Sequence, residues 1–294
     1  MKRKLSQLGI LALSYFLAVG IGNATDLKEI QARGVLKHLG VPYANFVTGA
    51  GDGMDVELVQ TFAKSLGVRY DYVETNWSTL LADLTGKTVK MANGHAELQG
   101  SVTKKGDLVA NGFTMLPWRQ DVVAFSLPTF PSQIWLVARA DSKVRPIEPT
   151  HDIHKDIELT RALMKGRTVL TLEKTCLDAS LYNLSQAGAK VVSFHGKLNE
   201  LAPALLKGEA EMTILDVPDA LIALEKWHSG IKILGPISDK QQMGVAVPKT
   251  SPELLLAFNE FLKKVQRDGS YLKLVKKYYP AAVGYFPEFF KGMH

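Results

Sequence analysis

The feature that most constrains this chain is an alternation of short apolar runs with amphipathic ones, laid down twice along its length. Val35-Leu36-Lys37-His38-Leu39-Gly40-Val41 reads as a strand that ends in a Gly/Pro loop. Residues 55–66 then carry apolar side chains at three- and four-residue spacing, the period of a helix with one buried face, and Gly67 stops them. Residues 69–73 alternate like a strand, and 77–84 return to the helical period. A chain that alternates in this way must bury its strands in a sheet covered by its own helices, which defines an α/β fold.

The second series starts at Gln133-Ile134-Trp135-Leu136-Val137-Ala138, a strongly apolar strand, preceded by a Pro-rich stretch at 128–131. Residues 141–156 read as a loop. Strands are expected at 168–172, 189–194, 211–216 and 231–234, with helices at 176–186, 198–206 and 218–227 between them. A strand at 244–247 and a long amphipathic helix at 252–267 follow, then an Asp268-Gly269 turn and a short helix at 271–278. Residues 87–105 are polar and Gly-punctuated, and read as an excursion from the first sheet.

The N-terminus has its own logic. Lys2, Arg3 and Lys4 precede an apolar run from Leu8 to Ile21, and Gly22-Asn23-Ala24 supplies small residues at the −3 and −1 positions of a cleavage site. That is the layout of a secretory signal, and the run is too short and too interrupted for a preferred reading as a membrane anchor. Cleavage after Ala24 is expected, giving a periplasmic protein. The one cysteine, Cys176, is far from that site, so no lipid attachment is expected there and no intramolecular disulfide can form. Stability must come from a hydrophobic core, and a chain of 294 residues with 46% hydrophobic content can build one.

Charge and motifs exclude several functions. The formal net charge is +6, but residues 1–24 hold three basic and no acidic residues, which leaves the remainder near +3. Its basic residues are dispersed, so nucleic acid is not an expected partner. No nucleophile elbow, phosphate loop or zinc motif occurs. His151-x-x-His154 lacks the further ligands a metal needs, so neither a metal nor a cofactor is expected.

With these elements placed, the chain resembles the bacterial extracellular solute-binding proteins of family 3, the polar amino-acid binding proteins of ABC transporters. The resemblance is carried by Gly244-Val245-Ala246-Val247, by residues 251–259 and Asp268-Gly269-Ser270-Tyr271, by Gly53-Met54-Asp55-Val56-Glu57-Leu58, and by Asn76-Trp77-x-x-Leu80. It implies a two-lobed type II periplasmic binding protein fold, crossed twice by the chain, with a ligand cleft between lobes that close by hinge motion. Lobe 1 would be 25–130 plus 240–294, and lobe 2 would be 131–239. It also implies a monomer that hands an amino acid or related small carboxylate to an inner-membrane permease.

The same resemblance implies a site. Residues 112–119, beginning at Gly112, match the loop that carries the ligand-carboxylate arginine, here Arg119. A guanidinium suits that role because it grips a carboxylate through two parallel hydrogen bonds. Thr114 would add a hydroxyl and an N–H. Asp216, at a strand C-terminus, would take the ligand ammonium, although the same residue fits the cap of a helix beginning near Pro218. Tyr43 and Trp77 would flank the ligand, and Thr175 would serve the carboxylate or simply cap a helix. Trp77 fits core packing equally well, and Arg119 fits a structural ion pair. Two positions depart from the family pattern, Lys174 where a glycine is usual and Cys176 after Thr175, so the cargo stays unnamed. Relatives of this fold that act as dehydratases keep an enzymatic alternative open, with Glu173, Lys174 or Cys176 as acid–base groups. A ligand-sensing accessory protein is a third.

Overall fold

The computed structural model describes residues 26–92, 94–227 and 229–293. The run read as an export signal lies outside them. Helix Asp26–Arg33 leads into β1 (Val35–Gly40), helix Met54–Ser65 and β2 (Arg69–Glu74). Helix Leu80–Thr85 is followed by β3 (Thr88–Ala92) and β4 (His95–Gln99), then β5 (Leu108–Val109), the short helix Pro117–Gln120 and β6 (Val123–Phe125). The chain continues through β7 (Phe130–Ser132), β8 (Ile134–Arg139), helix Ile153–Ala162, β9 (Thr168–Thr171), β10 (Lys190–Ser193) and helix Leu201–Lys207. It runs on through β11 (Met212–Asp216), helix Val217–Lys226, β12 (Ile231–Pro236), β13 (Gln241–Met243) and β14 (Ala246–Pro248). Helices Pro252–Arg267 and Ser270–Tyr278 and two single turns, Ala282–Tyr285 and Pro287–Phe290, complete it.

The two series build two lobes. The first sheet has the order β2-β1-β5-β14-β6, with β1 parallel to β2 and β5 and with β14 antiparallel to its neighbours. The second has the order β10-β9-β11-β8-β12, where β9 runs parallel to β10 and β11 while β8 runs antiparallel to β11 and β12. β11 and the first five residues of β8 are buried at every position, as expected for central strands covered on both faces. The chain leaves the first sheet after β6 and returns to it at β14. On the way it passes through β7 and β13, which pair antiparallel with Met243 opposite Phe130. This two-stranded ribbon joins the two lobes, where the resemblance places the hinge.

Helix Met54–Ser65 shows how the sequence produces the packing. Leu58, Val59 and Phe62 fall on one face and are buried, and Phe62 meets Phe258 of helix Pro252–Arg267 edge-on at 5.1 Å. A phenylalanine buried to this extent contributes roughly 1.5–3 kcal/mol.

Three segments differ from the sequence reading. Residues 153–162, of which 153–156 were read as the end of a loop, form a helix capped by Asp152, whose side chain accepts from the N–H groups of His154 and Lys155. His154 lies in its first turn, 3.8 Å from Asp239. Residues 176–186, expected to be helical, hold only a single 3-10 turn, Ala179–Tyr182. Asp178 caps that turn and Asn183 ends it at φ 52°, a left-handed conformation that stops helix growth. The polar excursion is an ordered hairpin, with β3 and β4 paired from Thr88↔Gln99 to Ala92↔His95. It is docked on the first lobe by buried Ala96, whose N–H donates to Asp121, and by the His95–Asp121 pair at 3.1 Å.

Candidate functional site

The loop before helix Pro117–Gln120 is held from both sides. Gly112 adopts φ +53°, and a Cβ there would run into the Phe46 ring. Its N–H donates to buried Asp55 at 2.6 Å. Burial holds the Asp55 carboxyl up at about 7, against an ordinary 3.8, while the Gly112 N–H works in the opposite direction. Further along, Thr114 bridges to Met243 and the Met115 N–H donates to the Gln242 carbonyl at 2.8 Å, which ties the loop to the hinge strand β13. Pro117 opens the following helix, where its fixed φ suits the first turn.

This frame places Arg119 where the lobes meet. The side chain is 3% exposed. One terminal nitrogen donates to the Thr114 carbonyl at 2.9 Å, and the guanidinium lies 4.1 Å above the Phe113 ring. Its Nε has no hydrogen-bond partner among the described residues. Burial lowers its pKa to about 10, while Cys176, Tyr182, Tyr43 and Asp216 oppose that shift. Arg119 makes no ion pair of 4.0 Å or less among the described residues.

On the facing lobe, Asp216 closes β11 and caps helix Val217–Lys226 by accepting from the Asp219 N–H. Capping is not its only bond. The Tyr43 hydroxyl, from the other lobe, donates to both carboxylate oxygens at 2.6 Å. A second contact joins the lobes nearby: the Ala44 N–H donates to Asn199 Oδ1 at 2.9 Å. The two lobes are therefore closed on one another.

Two carboxyl groups share this buried corner. Asp219 is three residues after Asp216 and on the same face of the helix, with Oδ2 unpartnered. Burial raises the pKa of both, and the neighbouring Asp216 pushes Asp219 up further. The Tyr43 hydrogen bond works against the shift at Asp216. Two adjacent acids in a dry site do not both ionise readily, so Asp219 holds its proton more tightly than an exposed carboxyl.

The remaining anticipated residues fall around this centre. Trp77 meets Tyr43 edge-on at 5.6 Å and stacks over Phe113 at 6.5 Å. The Thr114 hydroxyl faces the Cys176 thiol but has no partner of hydrogen-bond geometry. Cys176 also lies 3.5 Å from Asp216. Burial, then Asp216, pushes its thiol pKa well up, the reverse of a reactive thiolate. The Thr175 side chain is used locally: its hydroxyl donates to the Leu172 carbonyl and accepts from the Leu177 N–H, fixing a turn. Lys174 sits at φ 61°, which explains why a glycine suits that position, and its side chain is exposed. Gly112 shapes the loop while its N–H serves Asp55.

Four neighbours of this centre were not singled out from the sequence. Phe113 floors the guanidinium, Tyr182 donates to the Cys176 carbonyl at 2.6 Å, and Asp219 and Gln241 add orphaned oxygens. Asp219 had a legible signal, an acid three residues after Asp216 in a helix start. Among the ten buried side-chain atoms without a partner in the described structure, those of Thr114, Arg119, Asp219 and Gln241 lie on elements of this junction. Buried polar atoms left unpaired are costly.

Known proteins agree with this architecture. The chain is 24% identical over 284 residues to the L-cystine-binding protein TcyJ of Escherichia coli, covering 94% of this chain and 95% of that protein. It is also 24% identical to the membrane-bound lytic murein transglycosylase F of Desulfosudis oleivorans, covering 96% of this chain but spanning only 58% of the length of that relative. A crystal structure of an ArgBP mutant from T. maritima superposes with a TM-score of 0.68 at 27% identity, covering 87% of this chain and all of that one. The family model for bacterial extracellular solute-binding proteins, family 3, matches residues 93–281. This chain belongs to that family.

Proposed function

We propose that this protein is a periplasmic solute-binding protein that captures an amino acid or a related small carboxylate and delivers it to an ABC permease. The observation that carries the reading is the buried guanidinium of Arg119 at the lobe junction, whose Nε has no partner among the described residues, with the Asp216–Asp219 acid pair on the facing lobe. In this reading Arg119 holds the ligand carboxylate and Asp216 its ammonium, with Tyr43 and Trp77 as walls. Thr114 adds a hydroxyl, while Gly112 and Thr175 hold the flanking turns. Lobe 1 comprises 25–130 plus 240–294 and lobe 2 comprises 131–239. The protein acts as a monomer that reaches the periplasm through its N-terminal signal.

The mechanism is reversible capture. Ligand enters the open cleft, takes the Asp216 carboxylate from Tyr43, supplies the missing partners of Arg119 and Thr114, and shuts the lobes. No bond is made or broken. Acid–base chemistry finds less support, since Glu173 and Lys174 are exposed and Glu173 accepts the Ser193 hydroxyl at 2.7 Å. The test is a thermal-shift panel of the twenty amino acids and small organic acids on the purified chain. A ligand at a hundred times its Kd should stabilise the fold by about 3 kcal/mol, and Arg119→Ala should remove the shift. No stabilising carboxylate anywhere in the panel, or consumption of one without stabilisation, would overturn the proposal.

A further inference from the structure

The last stretch of the chain lies beyond the family match, which stops at residue 281. It runs over the hinge ribbon. Tyr279 is anchored in the first lobe: its hydroxyl accepts from the Asn45 N–H at 2.9 Å, and its ring sits 5.0 Å from Phe46 and 4.9 Å from Phe130 of the hinge strand β7. The turn Ala282–Tyr285 then carries the chain towards Trp135, the second residue of β8 and so part of the second lobe. Phe286 stacks on that indole at an interplanar angle of 12° with centroids 6.5 Å apart, and Tyr285 packs beside it at 6.0 Å. The turn Pro287–Phe290 brings the path back, and buried Phe290 meets Phe130 edge-on at 6.1 Å.

The crossing strands β7 and β13 must bend when the cleft opens. Here a third, non-covalent link ties the first lobe to the root of the second. The Trp135 indole is fixed for the purpose, because its N–H donates to Gln133 Oε1 at 2.9 Å. The link is intact while the Tyr43–Asp216 and Ala44–Asn199 contacts hold the lobes together. Rotating β8 about the hinge would move the indole relative to rings fixed on Tyr279.

We propose that residues 282–293 form an aromatic strap across the hinge that favours the closed arrangement and sets how far the lobes part without ligand. Phe286 and Tyr285 are its grip on the second lobe, and Phe290 its grip on the hinge strand. The strap acts on the open–closed balance, and among the described residues its rings meet Trp135 and Phe130 and not the residues assigned to ligand.

The experiment uses the full mature chain without ligand, with nitroxide labels at Lys64→Cys on lobe 1 and Ser185→Cys on lobe 2, both exposed. Cys176, which lies in the cleft beside Asp216, is replaced by Ser so that only the two introduced thiols take the label. Pulsed distance measurements give the ratio of closed to open molecules. Each aromatic pair is a modest contact and two are lost together, so Tyr285→Ala with Phe286→Ala should lower that ratio about tenfold. Phe286→Leu, which keeps apolar bulk but not the stacked ring, should lower it by a smaller factor. Circular dichroism checks that each variant is folded, and Phe286→Leu decides the matter should the double variant fail to fold. A ratio unchanged within twofold, or a shift towards closed molecules, overturns the proposal.

Discussion

Replacing Asp55 by Asn should make the protein more stable at pH 8 and less stable at pH 4. Asp55 is fully buried behind the Arg119 loop, and burial holds its carboxyl at about 7 where an exposed aspartate titrates near 3.8. The folded state therefore binds this proton more tightly than the unfolded chain does. Such a group supports the fold fully below the unfolded pKa, and that support is lost as pH rises from about 4 to about 7. Taken at face value, the gap corresponds to roughly 4 kcal/mol against the fold above pH 7. The gain on substitution is smaller. An Asn Oδ1 can still accept the Gly112 N–H, but its amide replaces the unpartnered Oδ1 with a buried donor that has nothing to meet, at a cost of about 1–3 kcal/mol. A net gain of about 1–3 kcal/mol at pH 8 is expected. Urea unfolding of both proteins at pH 4, 6 and 8 measures it, and the difference between them isolates Asp55 from every other titrating group. An Asp55→Asn variant less stable than the parent at pH 8, or a difference that does not change between pH 4 and pH 8, would refute the reasoning.

Other perturbations test the frame around the site. Gly112→Ala forces a side chain into a left-handed backbone and against the Phe46 ring, so urea unfolding should show a loss of about 2 kcal/mol or more. Tyr43→Phe leaves buried Asp216 without its lobe-spanning donor and should cost about 1–3 kcal/mol at pH 7 by the same assay, with little effect at a pH low enough to protonate the acid pair. Equal stability of parent and Tyr43→Phe at pH 7 would mean that the interlobe bond is not held in solution.

The parts of the fold that were legible in the sequence are those where one physical rule dominates. Helix Pro252–Arg267 was read at its full length because its apolar face, its starting proline and the Asp268-Gly269 stop all agree. The central strands β8 and β11 were plain because their burial requires nearly continuous apolar residues. What escaped was local competition. Residues 176–186 have a helical period, but Asp178 and Asn183 draw the backbone into a turn, and the Tyr182 hydroxyl is taken by the Cys176 carbonyl. Helix Ile153–Ala162 hid behind the prolines and histidines that precede it, although Asp152 is a strong cap signal. The β3–β4 hairpin has a weak alternation because only Ala96 is fully covered, while Met91 and Leu98 stay exposed.

The site was legible only in part. Arg119, Asp216, Tyr43 and Trp77 converge across more than a hundred residues of sequence, and a family resemblance was needed to anticipate that. Asp55 and Phe113 support Arg119 through a backbone N–H and a ring face, contacts that leave no pattern in the sequence. Thr175 and Gly112 have their polar groups committed to local structure, which sequence alone does not reveal.

The central claim is that Arg119 holds a ligand carboxylate. The most direct measurement is a calorimetric cycle: the amino acid that stabilises the protein most, and its decarboxylated amine, each titrated into the parent and into Arg119→Ala. Removing the carboxylate should weaken binding to the parent by at least thirtyfold, about 2 kcal/mol, and change binding to Arg119→Ala little. An Arg119→Ala variant that still prefers the carboxylate by that factor would contradict the claim.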